Sequence, residues 1–153
     1  MNLWYRYVGG AGAVGLLVLR LVVGAAFILH GWPKIQSATS WMNAFAGDKA
    51  PPGFLQAAAA GSEFVGGIAW VLGLLTPLAS FFLAATMATA IAMAHVPAGH
   101  PFVAAAPGQP SFELAAAYLA VALALLLAGP GTLSLDYLVF GRGRSADSYR
   151  NLR

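Results

Sequence analysis

The chain has no cysteine and very little charge: Asp, Glu, Lys and Arg make up 8% of its 153 residues. The first absence excludes dithiol redox chemistry, thiolate metal sites and lipid attachment through sulfur. The second excludes more. A soluble domain carries about 25% charged residues, and a chain this poor in charge has almost nothing with which to cover a water-facing surface. No phosphate loop, nucleophile elbow or zinc-protease helix is present either, and there is no convincing internal repeat. What fills the sequence is apolar: 59% hydrophobic residues and a mean hydropathy of +0.74. The composition answers to lipid, and the length allows one domain, residues 1–153.

Hydrophobic runs and breakers predict four membrane-crossing helices, at about 10–32, 54–75, 78–96 and 112–128. Trp32, Pro33 and Lys34 mark the end of the first with an aromatic anchor, a breaker and a snorkelling cation. Thr76-Pro77 turns the second into the third, with Pro77 suited to a first helical position. Gly129-Pro130-Gly131 stops the fourth. The first run is too long for the core of a signal peptide, contains Arg20 and lacks a small-residue cleavage site, so a retained helix is expected.

The net charge is +3, and its placement carries the information. Arg6 and the basic tail 141–153, with Arg142, Arg144, Arg150 and Arg153, lie on one side of an even number of crossings. Only Lys34 and Lys49 lie on the other. The positive-inside rule then places both termini in the cytoplasm, with the connections 33–55 and 97–111 facing outward, towards a periplasm or cell exterior if the source is bacterial. A tail of arginines without interleaved aromatics is not a nucleic-acid interface.

The two outer loops differ. Ile35, Ala38, Trp41, Met42 and Phe45 recur at three- and four-residue steps, predicting a short interfacial amphipathic helix ended by Pro51-Pro52-Gly53. Residues 97–111 hold no acid, lysine or arginine and are expected to fold over the helix ends. Segment 132–140 is too short to span and is expected at the inner interface.

Ionisable groups inside a membrane cost about 2.5–3.5 kcal/mol each, so they face the bundle interior and find partners. His30, Lys34, Glu63, His95 and Glu113 come from all four helices and converge in the outer half. Glu63 shares a helix face with Gly66, Gly67, Trp70 and Gly73. Arg20, Gly24, Phe27, Gly31 and Lys34 share another, and Glu113 lines up with Ala116, Ala117, Ala120 and Ala124. Small residues on these faces allow close helix approach. Each group also has a plainer reading: Glu113 as an answer to its helix dipole, His95 as a polar tip at the interface. Arg20 and Asp136 share the inner depth and are expected to form a structural ion pair. His30 and His95 meet the minimum for axial haem ligation, but bundles commonly hold such histidines without haem. A metal shared by His95, His100 and Glu113 has no supporting spacing, so no metal site is assigned.

Taken in order, these residues resemble the DoxX family of small bacterial membrane proteins. The resemblance runs from Leu19 to Arg142. It rests on Arg20-Leu21, Gly24 and His30-Gly31-x-x-Lys34, then on Glu63-x-x-Gly66-Gly67 and Leu72-Gly73-Leu74-Leu75-Thr76-Pro77. His95, Glu113 with Tyr118, and Gly129-Pro130-Gly131-x-x-Ser134-Leu135-Asp136 complete it. The resemblance implies a four-helix bundle in the plasma membrane and an association with quinone-linked redox metabolism, oxidative stress and membrane oxidoreductase complexes. It carries over to Arg20, His30, Lys34, Glu63, His95, Glu113 and Asp136, and gives His100 and Lys49 no role.

Three functions remain open on this reading. One is a redox-associated membrane protein binding a quinone-like or other small amphipathic molecule among His30, Lys34, Glu63, His95, Glu113 and Trp70, with Trp32 and Phe27 as further flat walls. This reading leaves open a quinone-linked oxidoreductase subunit. The second is a non-catalytic anchor or assembly partner of an oxidoreductase, or a homodimer built on leftover small-residue faces. The third is a small proton-coupled transporter, against which four short, continuous helices argue.

Overall fold

In a computed structural model the chain is described from residue 7 to residue 141, and over that span it is helical without strands. Arg6 and the C-terminal arginines, on which the expected topology rests, lie outside the described residues. The elements are α1 (Gly10–Ile35), a single turn α2 (Asn43–Ala46), α3 (Gly53–Leu72), α4 (Thr76–Ala90) and α5 (Glu113–Ala128). A π-helical turn, Ile91–His95, extends α4, and a second, Tyr137–Gly141, ends the described chain. Three helices, Gly10–Ile35, Gly53–Leu72 and Thr76–His95, are long and apolar enough to cross a membrane. At 16 residues α5 measures about 24 Å, short of a ~30 Å hydrocarbon core. The longer helices therefore carry the membrane assignment, and α5 completes the bundle beside α4.

The boundaries differ from expectation where local chemistry allows it. Pro33 does not end α1; it sits in the last turn, and the helix stops at Ile35. α3 ends three residues early, because Gly73 takes a left-handed conformation at φ +66° and closes the helix. Pro77 does lie in the first turn of α4. The interfacial helix expected after α1 is a run of turns, bonded Ser37 to Lys34, Ser40 to Ser37 and Asn43 to Ser40, before the one turn of α2. Gln56 fixes that loop. Its amide accepts from the Met42 N–H and donates to Asn43 Oδ1 and the Pro51 carbonyl, all at 2.8–2.9 Å. With so many loop bonds drawn to one side chain, a regular surface helix is not needed to satisfy the backbone.

α1 and α3 pack closest, through glycine. A Cβ at Gly31 would lie 2.6 Å from the Phe64 nitrogen, and one at Gly67 would lie 2.7 Å from the Gly24 carbonyl. No larger residue fits without separating the helices. The expected inward faces of α1 and α3 hold: Arg20, Gly24, Phe27 and Gly31 are buried, as are Glu63, Gly66, Gly67 and Trp70. The expected face of α5 does not. Ala122 and Leu125 are buried and Ala115 and Tyr118 pack on the core, whereas Ala117, Ala120, Ala124 and Glu113 are exposed. An almost uniformly apolar helix carries no period from which to read its inner side: Ala122 is buried like Leu125, whereas Leu114, Leu123 and Leu127 are exposed like the alanines of the expected face.

Candidate functional site

Two polar clusters occupy opposite ends of the bundle. At one end the turn Gly73–Leu75 brings Leu75 into the left-handed region at φ 49°. This conformation costs a non-glycine residue about 1–3 kcal/mol and needs outside support. Asp136 supplies it. Its carboxylate accepts the Leu75 N–H at 2.7 Å and the Thr76 N–H at 2.9 Å, and its own N–H donates to the Gly73 carbonyl at 2.8 Å. The acid also sits at the N-terminus of α4, where the helix dipole favours negative charge.

Arg20 is fully buried at the same end and donates to the Leu133 carbonyl. It packs so tightly over Gly73 that a Cβ there would collide with the guanidinium. Arg20 and Asp136 interact through charge. They make no direct ion pair, since the one salt bridge among the described residues is elsewhere. The expected contact is replaced because the strained turn leaves two N–H donors in apolar surroundings, and a short carboxylate satisfies both.

At the other end lies a cavity of about 280 Å³ lined by residues of α1, α3, α4 and α5. Lys34 and Glu63 form a two-pronged ion pair across it, with Nζ 2.7 Å from Oε1 and 2.6 Å from Oε2. The Glu63 side chain is 5% exposed and that of Lys34 26%. The Trp41 ring lies 4.7 Å from the ammonium, held by its indole N–H bond to the Gln56 carbonyl. Loop, α3 and α1 are thus linked through one chain of contacts, with the cation stabilised from its open side. Phe27 forms the floor, 4.9 Å from the Tyr118 ring, and Met87 completes the apolar surface.

Of the expected residues, His30, Lys34, Glu63 and His95 line this cavity; Glu113 and Trp70 do not. Glu113 is exposed in the first turn of α5, where the helix N-terminus attracts it. Trp70 is fully buried beneath the floor, edge-on to Phe27 at 5.5 Å, with its indole N–H given to Ser80 Oγ. Trp32 is outside as well, packed on Phe64. Tyr118 takes the place these aromatics were expected to fill. Its signal is present in the sequence as the one polar aromatic in a helix of alanine and leucine. His100, given no role by the resemblance, pairs Nδ1 to Nδ1 with His95 at 3.1 Å. No cluster of three or more metal-ligating side chains occurs among the described residues.

The DoxX family profile matches residues 15–96, a stretch that contains Arg20, His30, Lys34, Glu63 and His95. Three relatives match over most of both chains. An "Uncharacterized protein" of Haemophilus influenzae is 36% identical, over 82% of this chain and 90% of its own. "Putative oxidoreductase CatD" of Bacillus subtilis is 31% identical over 83% and 88%. "Inner membrane protein YphA" of Escherichia coli is 33% identical over 88% and 97%. No solved structure matches. The bundle, the polar residues inside it and relatives that share nearly its full length place this multi-pass membrane protein in the DoxX family.

Proposed function

We propose that this chain is an inner-membrane protein of redox metabolism that seats a single quinone-like ring in the cavity between Lys34, Glu63, His30, His95 and Tyr118. Both termini would face the cytoplasm, so the cavity would lie in the outer half of the membrane. The observation that carries the reading is the Lys34–Glu63 pair set in the wall of a cavity with an aromatic floor. An ammonium has three N–H donors. Glu63 takes two, which leaves one for a ring carbonyl. His30, His95 and the Tyr118 phenol are further groups able to hold or exchange a proton at a ring oxygen. Phe27 and Tyr118 offer flat surfaces for the ring itself. Ligand cavities commonly measure about 300–1,000 Å³; at about 280 Å³ this one suits one ring and little more. Two relatives, named as an inner membrane protein and a putative oxidoreductase, support the setting.

The protein purified in mild detergent is to be extracted for bound lipids and titrated calorimetrically with short-chain quinones. Saturable binding that Tyr118→Ala and Lys34→Met weaken is the expected result. No co-purifying quinone and no saturable heat would overturn the reading. A second reading is favoured by the completeness of the ion pair, in which both oxygens of Glu63 are already satisfied. On that reading the pair only locks α1 to α3, and the protein anchors or assembles an oxidoreductase through its loops or tail. Glu63→Gln would then leave activity intact while loop or tail deletion abolishes it.

A further inference from the structure

The long helices pack in the order α1, α3, α4, α5, and the ring they form is not closed evenly. α1 lies tightly on α3, α3 on α4 and α4 on α5, whereas α1 and α5 approach each other at few points. The cavity lies against that loose seam. Phe27, His30 and Lys34 reach it from α1, and Leu114, Ala115 and Tyr118 from α5. His30 and Leu114 line the cavity and are nevertheless exposed, Leu114 at 55%. The cavity therefore opens on the flank of the bundle between these two helices.

Toward the loops, His95 and Ser111 line it. Phe112 lies 6.5 Å from His95 and 5.3 Å from Phe102, and the Phe112 N–H bonds back to the Pro101 carbonyl. His95 is tied in turn to His100 through ring nitrogen and backbone. The loop after α4 is thus tied to His95 at the rim of the cavity, while the side wall between α1 and α5 stands open. The opening has a definite depth. His30 lies five residues inside the end of α1 and Tyr118 five residues inside the start of α5, which is about 7–8 Å below the helix ends at ~1.5 Å per residue. Trp32, exposed on α1 just beyond His30, marks the headgroup level that tryptophan prefers. The opening faces the boundary between headgroups and hydrocarbon, where an amphiphile's polar ring naturally lies.

We infer that the cavity takes a membrane-dissolved amphiphile that enters sideways between α1 and α5, seating a ring-sized polar head and leaving its hydrocarbon tail in the lipid. This builds on the proposed ring-binding role, but its route can be tested without any such ligand. The chain contains no cysteine, so a single introduced thiol reports on its own surroundings. Ala115→Cys places one on the half-buried wall beside the seam, and Leu114→Cys is a second variant on the exposed rim. Leu29→Cys, at a position 75% exposed on α1, serves as the lipid-facing reference, and Gln36→Cys, in the turn after α1, as the water-facing one.

In proteoliposomes of the full chain, each thiol is labelled with a long-chain N-alkyl maleimide dissolved in the bilayer or with a sulfonated maleimide added from water. The expected result is that Ala115→Cys and Leu114→Cys react several-fold faster with the alkyl reagent, following Leu29→Cys. Equal rates, or faster reaction with the sulfonated reagent as at Gln36→Cys, would overturn the sideways route. A short-chain quinone added before labelling is expected to slow the reaction at Ala115→Cys several-fold. Fast alkyl labelling without that protection would leave the side opening standing and remove the quinone as its occupant.

Discussion

The carboxylate of Asp136 holds Leu75 in a left-handed conformation from sixty-one residues away, through a 2.7 Å bond to its backbone N–H. Two changes separate the strain from its support. Leu75→Gly removes the cost of a side chain at φ 49° and, with the residue half exposed, loses little packing. It is expected to leave stability unchanged or raise it by up to about 1 kcal/mol. Asp136→Ala leaves the buried Thr76 N–H and the part-buried Leu75 N–H without their acceptor and is expected to destabilise by about 1–3 kcal/mol, chiefly through the buried Thr76 group. Thermal unfolding in mild detergent checks both. A larger loss for Leu75→Gly than for Asp136→Ala would contradict this account of the turn.

The glycines of α1 and α3 divide into those that permit contact and those that do not. Gly31→Ala and Gly67→Ala would press a methyl against the neighbouring backbone, so both are expected to separate the helices and lower the melting temperature. Gly61 has open space where a Cβ would stand. Gly61→Ala is expected to be neutral or to stabilise by up to about 1 kcal/mol through helix propensity. A melting series of the three variants tests the division, and the same order should appear in quinone affinity, because Gly31 lies one turn from Lys34.

These contrasts explain what was legible in the sequence. The inner faces of α1 and α3 could be read because glycines and ionisable residues recur there at helical spacing against an aliphatic background. Lys34 and Glu63 could be brought together because depth and face both pointed the same way. α5 could not be oriented: its residues are apolar all round, and a period needs contrast. The partner of Asp136 was missed for another reason. Arg20 is visible as a charge, whereas the N–H groups that Asp136 binds become special only when a turn strips them of helical partners. Gln56 was overlooked for the same cause, since its bonds go to loop backbone that no side-chain pattern reveals.

Trp70 offers a test of the floor beneath the cavity. Its indole N–H donates to Ser80 Oγ at 3.0 Å, and that hydroxyl donates to the Thr76 carbonyl at 2.7 Å. Ser80→Ala would strand a buried donor and is expected to cost about 1–3 kcal/mol. Trp70→Phe fills most of the same volume without the donor, so Ser80→Ala placed on a Trp70→Phe background is expected to cost clearly less. Unfolding of the four chains in a double-mutant cycle reads the coupling directly. Independent, additive effects would show that the indole hydrogen bond does not hold the floor.

The Lys34–Glu63 pair decides between binding and locking. Removing one partner of a fully buried pair costs about 3–5 kcal/mol because the other charge is left unanswered. Here the Lys34 side chain is 26% exposed, so Glu63→Gln and Lys34→Met should each cost less than that. The double variant should recover part of the loss, since no lone charge remains. Stability alone would make the pair a lock. Quinone affinity separates the two roles, because only Lys34 has a donor left for the ligand once Glu63 is satisfied. If the cavity binds a ring through that donor, the double variant regains stability without regaining affinity. If affinity returns in step with stability, the pair acts only by holding α1 against α3, and the ligand's polar partner must be sought among His30, His95 and Tyr118.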